Sequence, residues 1–113
     1  MSSDRHKKKL LTDIIQAIDE IELFLEGKRD FNLYENNLML KKAIERELEI
    51  IGEAMNRLLQ LQPNIEISDA RKVVNLRNRI IHGYDKVVDE VVWGILIRHI
   101  PQLKIEVAQQ LSQ

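Results

Sequence analysis

NNLMLKKAIERELEIIGEAMNRLLQ, residues 36–60, is the stretch on which the fold turns. Leu40, Ile44, Leu48, Ile51, Met55 and Leu58 recur at intervals of three and four, which is the seam of an amphipathic helix. Ala43, Ile50, Ala54 and Leu61 widen the apolar arc to about half the circumference, more than the ~100° that one core requires. Such a helix touches neighbours on two sides, and a second subunit is a candidate for one of them. Gly52 stands inside it, at a cost of about 1 kcal/mol relative to alanine. An interior glycine of this kind points to close helix–helix approach. Glu53 projects away from the seam, as a solvated carboxylate or as a contact to a second subunit.

Working outward, the same periodicity recurs on both sides. Leu10, Leu11, Ile14, Ile15, Ile18, Ile21 and Leu25 form one stripe of a helix from about Asp4 to Glu26, and Gly27 is its stop. Lys28–Tyr34 reads as a loop with a short helical turn. Pro63-Asn64 marks the turn after the long helix. Ser68 is the expected N-cap of the next helix, with Asp69 in its first turn and Gly83 just past its end at His82. A fourth helix starts between Asp85 and Asp89 and carries Val88, Val91, Val92, Ile95 and Leu96. Pro101 suits a kink or the first position of a fifth helix with Leu103, Val107 and Leu111. The expectation is all-α: one domain, 1–113, an up-and-down bundle of four to five helices.

Composition narrows the function. The 113 residues include no cysteine, which excludes disulfides, zinc-thiolate sites and thiol catalysis. Seventeen Lys and Arg against eighteen Asp and Glu give a net charge of -1, so a uniformly basic nucleic-acid coat is excluded while a local basic patch is not. No apolar run reaches the ~18 residues of a membrane span, and none follows the basic start as in a signal peptide. The cytoplasm is the default compartment. No His/Asp/Glu grouping has metal-ligand spacing, and no cofactor is expected.

The third helix breaks its own pattern. Ala70, Val73, Val74, Ile80, Ile81 and Tyr84 form one apolar face, and Arg77 projects near its middle. An unpaired buried charge costs several kcal/mol, so Arg77 needs a partner. One reading is a structural ion pair, with Glu47 as first candidate because it intrudes on the apolar arc of the long helix. The other is a cleft or subunit interface where Arg77 meets an anion. On the opposite side Arg71, Asn75, Asn78 and His82 share a polar stripe. Asn78 and His82 are i, i+4 neighbours, so the amide is placed to orient the imidazole. His82 sits in the last turn, where the helix dipole favours imidazolium. This is either a solvated face or the acid–base element of phosphoryl chemistry, with Arg as the phosphate ligand. Arg77 and His82 are about 140° apart on an ideal helix, so one helix does not aim both at one phosphate squarely. A two-fold dimer would resolve this.

At these residues the chain resembles a known family. Arg77-Asn78-Arg79-Ile80-Ile81-His82-Gly83-Tyr84 is similar to the Arg-x4-His-x-Tyr signature of HEPN-domain proteins of the HepT type. Glu45–Ala54 resembles that family's second-helix block. Val91-Val92-Trp93-Gly94-Ile95, followed by Ile100-Pro101-Gln102-Leu103, resembles its C-terminal pattern.

The resemblance implies an all-α, HEPN-like homodimer and a metal-independent endoribonuclease, the toxin of a type VII-like toxin–antitoxin pair. It implies RNA (tRNA or mRNA) as substrate and a minimal nucleotidyltransferase as antitoxin. Arg77, Asn78 and His82 would form the catalytic set in a cleft at the dimer interface. Tyr84 would be the residue on which the antitoxin places AMP, adding bulk and negative charge beside His82. The alternative is a helical module that holds RNA or a nucleotidyltransferase through Arg71, Arg77 and Arg79 without cleaving. A third is a purely structural helical dimer.

Other residues have plainer expectations. Trp93 is a packing residue. Arg5-His6-Lys7-Lys8-Lys9 is a solvated helix start that would add a backbone contact to RNA. His99 is read as a surface helix-end residue, and Met39 and Met55 as ordinary packing residues.

Overall fold

The computed structural model describes residues 2–82 and 89–113. Among these, six α-helices follow one another without a strand: α1 (Ser2–Leu25), α2 (Phe31–Glu35), α3 (Leu38–Leu61), α4 (Ala70–His82), α5 (Asp89–Arg98) and α6 (Ile100–Leu111). The all-α expectation holds, and the turn expected near Phe31 is a helix of its own. The expectations attached to Gly83, Tyr84, Asp85 and Val88 lie outside the described residues.

The helix ends follow from local chemistry. After α1, Glu26 and Gly27 take φ 52° and 72°, and the Lys28 N–H donates to the Leu25 carbonyl at 2.8 Å. Glycine adopts that left-handed geometry without strain. The Asp30 carboxylate accepts the Asn32 N–H at 2.9 Å and caps α2. The Asn37 side chain accepts the Leu40 N–H at 3.0 Å and caps α3. Both satisfy amide groups that a helix start leaves without partners.

Ser68 does not cap α4. Its hydroxyl donates to Glu106 of α6 at 2.8 Å and its N–H donates to the same carboxylate at 3.1 Å. The helix begins one residue beyond Asp69, which holds φ 59° while its carbonyl accepts the Val73 N–H. The Asp69 carboxylate accepts a 2.7 Å hydrogen bond from His99 Nδ1. His99 is therefore no free helix-end residue. It ties the α5–α6 junction to the start of α4, and its side chain is only 26% exposed. Pro101 occupies the first turn of α6, as its fixed φ favours.

The long helix α3 packs against α1 on one side and α4 on the other, α6 covers α1, α5 packs on α6, and α2 caps α3. The wide apolar arc of α3 is thus used by two neighbours of the same chain, and it does not by itself call for a second subunit. Ile14, Ile18 and Ile21 of α1, Ile44, Leu48, Ile51 and Met55 of α3, Val73 of α4 and Val107 of α6 are buried in one core. Each such side chain contributes about 1.5–3 kcal/mol through its removal from water. Met55 packs as expected. Met39 does not: it lies at the start of α3 and is 84% exposed.

Trp93 of α5 packs as expected, with its ring centroid 5.3 Å from Tyr34 and 5.9 Å from Phe31. Lys41 of α3 pairs with Asp89 at 3.1 Å and fixes the start of α5. The order of the helices thereby places α4 at one edge of the bundle, backed by α3, with its other side facing solvent.

Candidate active site

Helix α4 turns Ala70, Val73, Val74 and Leu76 into the core, and Arg77 follows them on the side facing α3. Leu76, which the periodicity did not single out, is only 2% exposed, whereas Ile81 is 44% exposed. Ile80 still packs half-buried against the core, so the apolar face expected from the spacing loses its cover only at Ile81 among the described residues.

At Gly52 of α3 the two helices approach closely. A β-carbon at Gly52 would overlap Arg77 Cβ and stand 2.8 Å from Arg77 Cγ and 3.1 Å from the Val73 carbonyl oxygen. The glycine expected to serve packing does so, and what it admits is the stem of Arg77. The arginine Nε is buried, with no hydrogen-bond partner among the described residues. The terminal nitrogens point outward: Nη1 donates to Asn78 Oδ1 at 2.9 Å, and Nη2 lies 3.9 Å from Glu53 Oε2. Glu53 Oε1 in turn accepts from Arg57 Nη2 at 3.2 Å. The side chain of Arg77 remains 25% exposed. The result is a guanidinium with a rigid stem and an open end, which suits bidentate contact with a phosphate.

Glu47 is not the partner of Arg77. It is buried towards α1, where it shares a hydrogen bond with Glu20. Burial, then that hydrogen bond and the charge of Glu20, push its carboxyl up to about 7, against a smaller opposing effect of Arg46. Below about 7 the Glu47 carboxyl carries the proton of that hydrogen bond.

The polar stripe stands as the spacing implied. Arg71, Asn75 and His82 are exposed and Asn78 is half-buried. The Asn78 amide oxygen accepts from the Arg77 guanidinium at 2.9 Å. Asn78 thus orients the arginine. His82 occupies the final turn of α4, and Arg79 is exposed one turn earlier. Arg77 leans on α3 while His82 faces out, so the angular separation expected from sequence persists in the fold. Tyr84 lies outside the described residues. Glu53 is the member of this set that sequence reasoning did not assign to Arg77; its i, i+4 spacing to Arg57 was the available signal.

The concavity at the α2–α3 elbow is lined by Asn32, Leu33, Asn36, Asn37, Leu38 and Met39, none of them titratable. Among the described residues no three His, Asp or Glu side chains are grouped to hold a metal ion, and no helix is long and apolar enough to cross a membrane.

Comparison with known proteins agrees with the family resemblance. Residues 14–109 match the model of the family described as ribonuclease HepT-like. A candidate RNase of Methanocaldococcus jannaschii is 34% identical over 109 residues, covering 93% of this chain and 96% of that protein. A candidate ribonuclease HepT of Thermococcus cleftensis is 37% identical over 107 residues, covering 88% and 91%. A candidate RNase of Caldanaerobacter subterraneus subsp. tengcongensis is 26% identical over 99 residues, covering 85% and 88%. No solved structure matches the chain. The chain belongs to the HepT-like ribonuclease family.

Proposed function

We propose that this protein is a metal-independent endoribonuclease in which Arg77, Asn78 and His82 carry the reaction. The observation that carries the reading is the Arg77 side chain, with its stem fixed against Gly52 and its open guanidinium end steadied by Asn78, on the helix that ends at His82. Family membership supplies the reaction class.

The residue types define the steps. The His82 imidazole takes the proton of an RNA 2′-hydroxyl, and the oxygen attacks the adjacent phosphorus. Arg77 stabilises the negative charge that builds on the non-bridging oxygens. The 5′-oxygen leaves with a proton from a second imidazole, and the product carries a 2′,3′-cyclic phosphate. A homodimer supplies that second His82 and brings an Arg77 and a His82 from different helices to one phosphate, which one α4 does not do alone. Arg71 and Arg79, both exposed on α4, contact the flanking backbone.

In this reading the chain is the toxin of a toxin–antitoxin pair acting on tRNA or mRNA in the cytoplasm. A nucleotidyltransferase antitoxin silences it by transferring AMP to Tyr84. The test is expression in a bacterial host: growth arrest by the wild type, none by His82→Ala or Arg77→Ala at equal protein level, and relief when the nucleotidyltransferase is co-expressed. If His82→Ala arrests growth as the wild type does, the catalytic assignment fails.

A further inference from the structure

We infer that Glu53, braced by Arg57, is a positioning residue for Arg77. The inference rests on the ribonuclease reading above and adds to it an element from a different helix.

The geometry is a chain of alternating charge across α3 and α4. Arg57 Nη2 donates to Glu53 Oε1 at 3.2 Å, Glu53 Oε2 stands 3.9 Å from Arg77 Nη2, and Arg77 Nη1 donates to Asn78 Oδ1 at 2.9 Å. The guanidinium thus has Asn78 at one end and Glu53 at the other. Its remaining freedom is rotation about the bonds beyond Cγ, since the stem is held against Gly52. Nothing among the described residues bonds the buried Nε, so no hydrogen bond at that atom fixes the plane. The plane is set by the two outer contacts. The Glu53 contact is longer than a hydrogen bond, so it orients by charge while leaving the Nη2 hydrogens for a phosphate oxygen.

Glu53 is half-exposed, and an exposed ion pair contributes little to stability. Its removal should therefore leave the fold intact and affect the direction of the guanidinium. Misplacing a group that stabilises a transition state lowers turnover more than substrate binding.

The experiment has two readouts on the full chain. The first is the Arg77 Nε–Hε signal in a 1H–15N NMR spectrum, assigned by its loss in Arg77→Lys. The inference predicts a dispersed, slowly exchanging signal in the wild type. It should collapse towards the free-arginine position in Glu53→Ala, partly recover in Glu53→Gln, and move part of the way in Arg57→Ala, with unchanged thermal unfolding. The second is RNA cleavage: kcat for Glu53→Ala should fall about 10- to 100-fold, with KM within roughly threefold. An unmoved Arg77 signal in Glu53→Ala overturns the inference, and so does a kcat that stays level or rises, as it would if Glu53 merely competed with RNA. A wild type that cleaves no RNA overturns the ribonuclease reading instead, and the NMR comparison then decides separately whether Glu53 holds the guanidinium.

Discussion

Gly52 and Arg77 are in direct contact, and the missing side chain of the one is the space occupied by the stem of the other. The glycine in the middle of α3 is therefore coupled to the arginine of α4 across the helix interface. Gly52→Ala forces α4 away, because the Val73 carbonyl stands 3.1 Å from the new carbon and is held in the helix backbone. Overpacking of this kind costs about 1–3 kcal/mol, offset by the ~1 kcal/mol that alanine gains as a helix former. Urea denaturation should show a net loss, and RNA cleavage should fall further than stability does, since Arg77 moves with α4.

Glu47 makes stability depend on pH. Its folded carboxyl titrates at about 7, above the ordinary 4.5, because burial and then the hydrogen bond with Glu20 disfavour its charge. The folded state binds the extra proton between those values, so stability is full below about 4.5, falls as pH rises, and levels off above about 7. Glu47→Gln keeps a donor for Glu20 without a titration. It should flatten this slope and stabilise the protein at pH 8 by on the order of 1–3 kcal/mol. Thermal melts of both proteins from pH 4 to pH 8 measure the difference.

Tyr34 is fully buried, and its hydroxyl has no hydrogen-bond partner among the described residues. Burial, then the charges of Glu45 and Asp89, push that hydroxyl above the ordinary tyrosine range, so it stays protonated. A buried donor without a partner is costly, and Tyr34→Phe removes it while keeping the ring against Trp93. The substitution should raise stability by about 1 kcal/mol. Fluorescence of Trp93, the sole tryptophan, reports the unfolding midpoint.

Asp69 combines an uncommon backbone with a cross-helix bond. At φ 59° it resembles the positions where asparagine and aspartate are tolerated better than other residues. Asp69→Asn keeps that tolerance and an acceptor for His99, whereas Asp69→Ala keeps neither. Chemical denaturation should show the alanine variant less stable than the asparagine one, by about 1 kcal/mol. His99→Ala should resemble Asp69→Ala if the 2.7 Å bond is what the carboxylate supplies.

The helical skeleton could be read from spacing alone, because the apolar residues of α1 and α3 recur at three and four without interruption. Arg77 was visible for the same reason, as a charge on an otherwise apolar face. Its partner was not. Glu47 intrudes on the apolar arc of α3 and Glu53 projects away from its seam, and only the packing decides that Glu47 meets Glu20 of α1 while Glu53 reaches Arg77 of α4. Ser68 shows a similar limit. Its type and position fit an N-cap, but Glu106, thirty-eight residues further on, takes both its hydroxyl and its N–H. Local propensity has no access to a partner that tertiary structure brings near. Met39 reads as a packing residue by type, but it lies in the first turn of α3 and is 84% exposed.

The most direct test of the ribonuclease account is the identity of the RNA ends produced in the presence of EDTA, with Tyr84 confirmed unmodified by intact mass. The account predicts cleavage that leaves 2′,3′-cyclic phosphate and 5′-hydroxyl ends, and a rate lowered at least about 100-fold in His82→Ala. Unmodified, dimeric protein that leaves tRNA and mRNA intact, or a His82→Ala variant that cleaves at the wild-type rate, would contradict it.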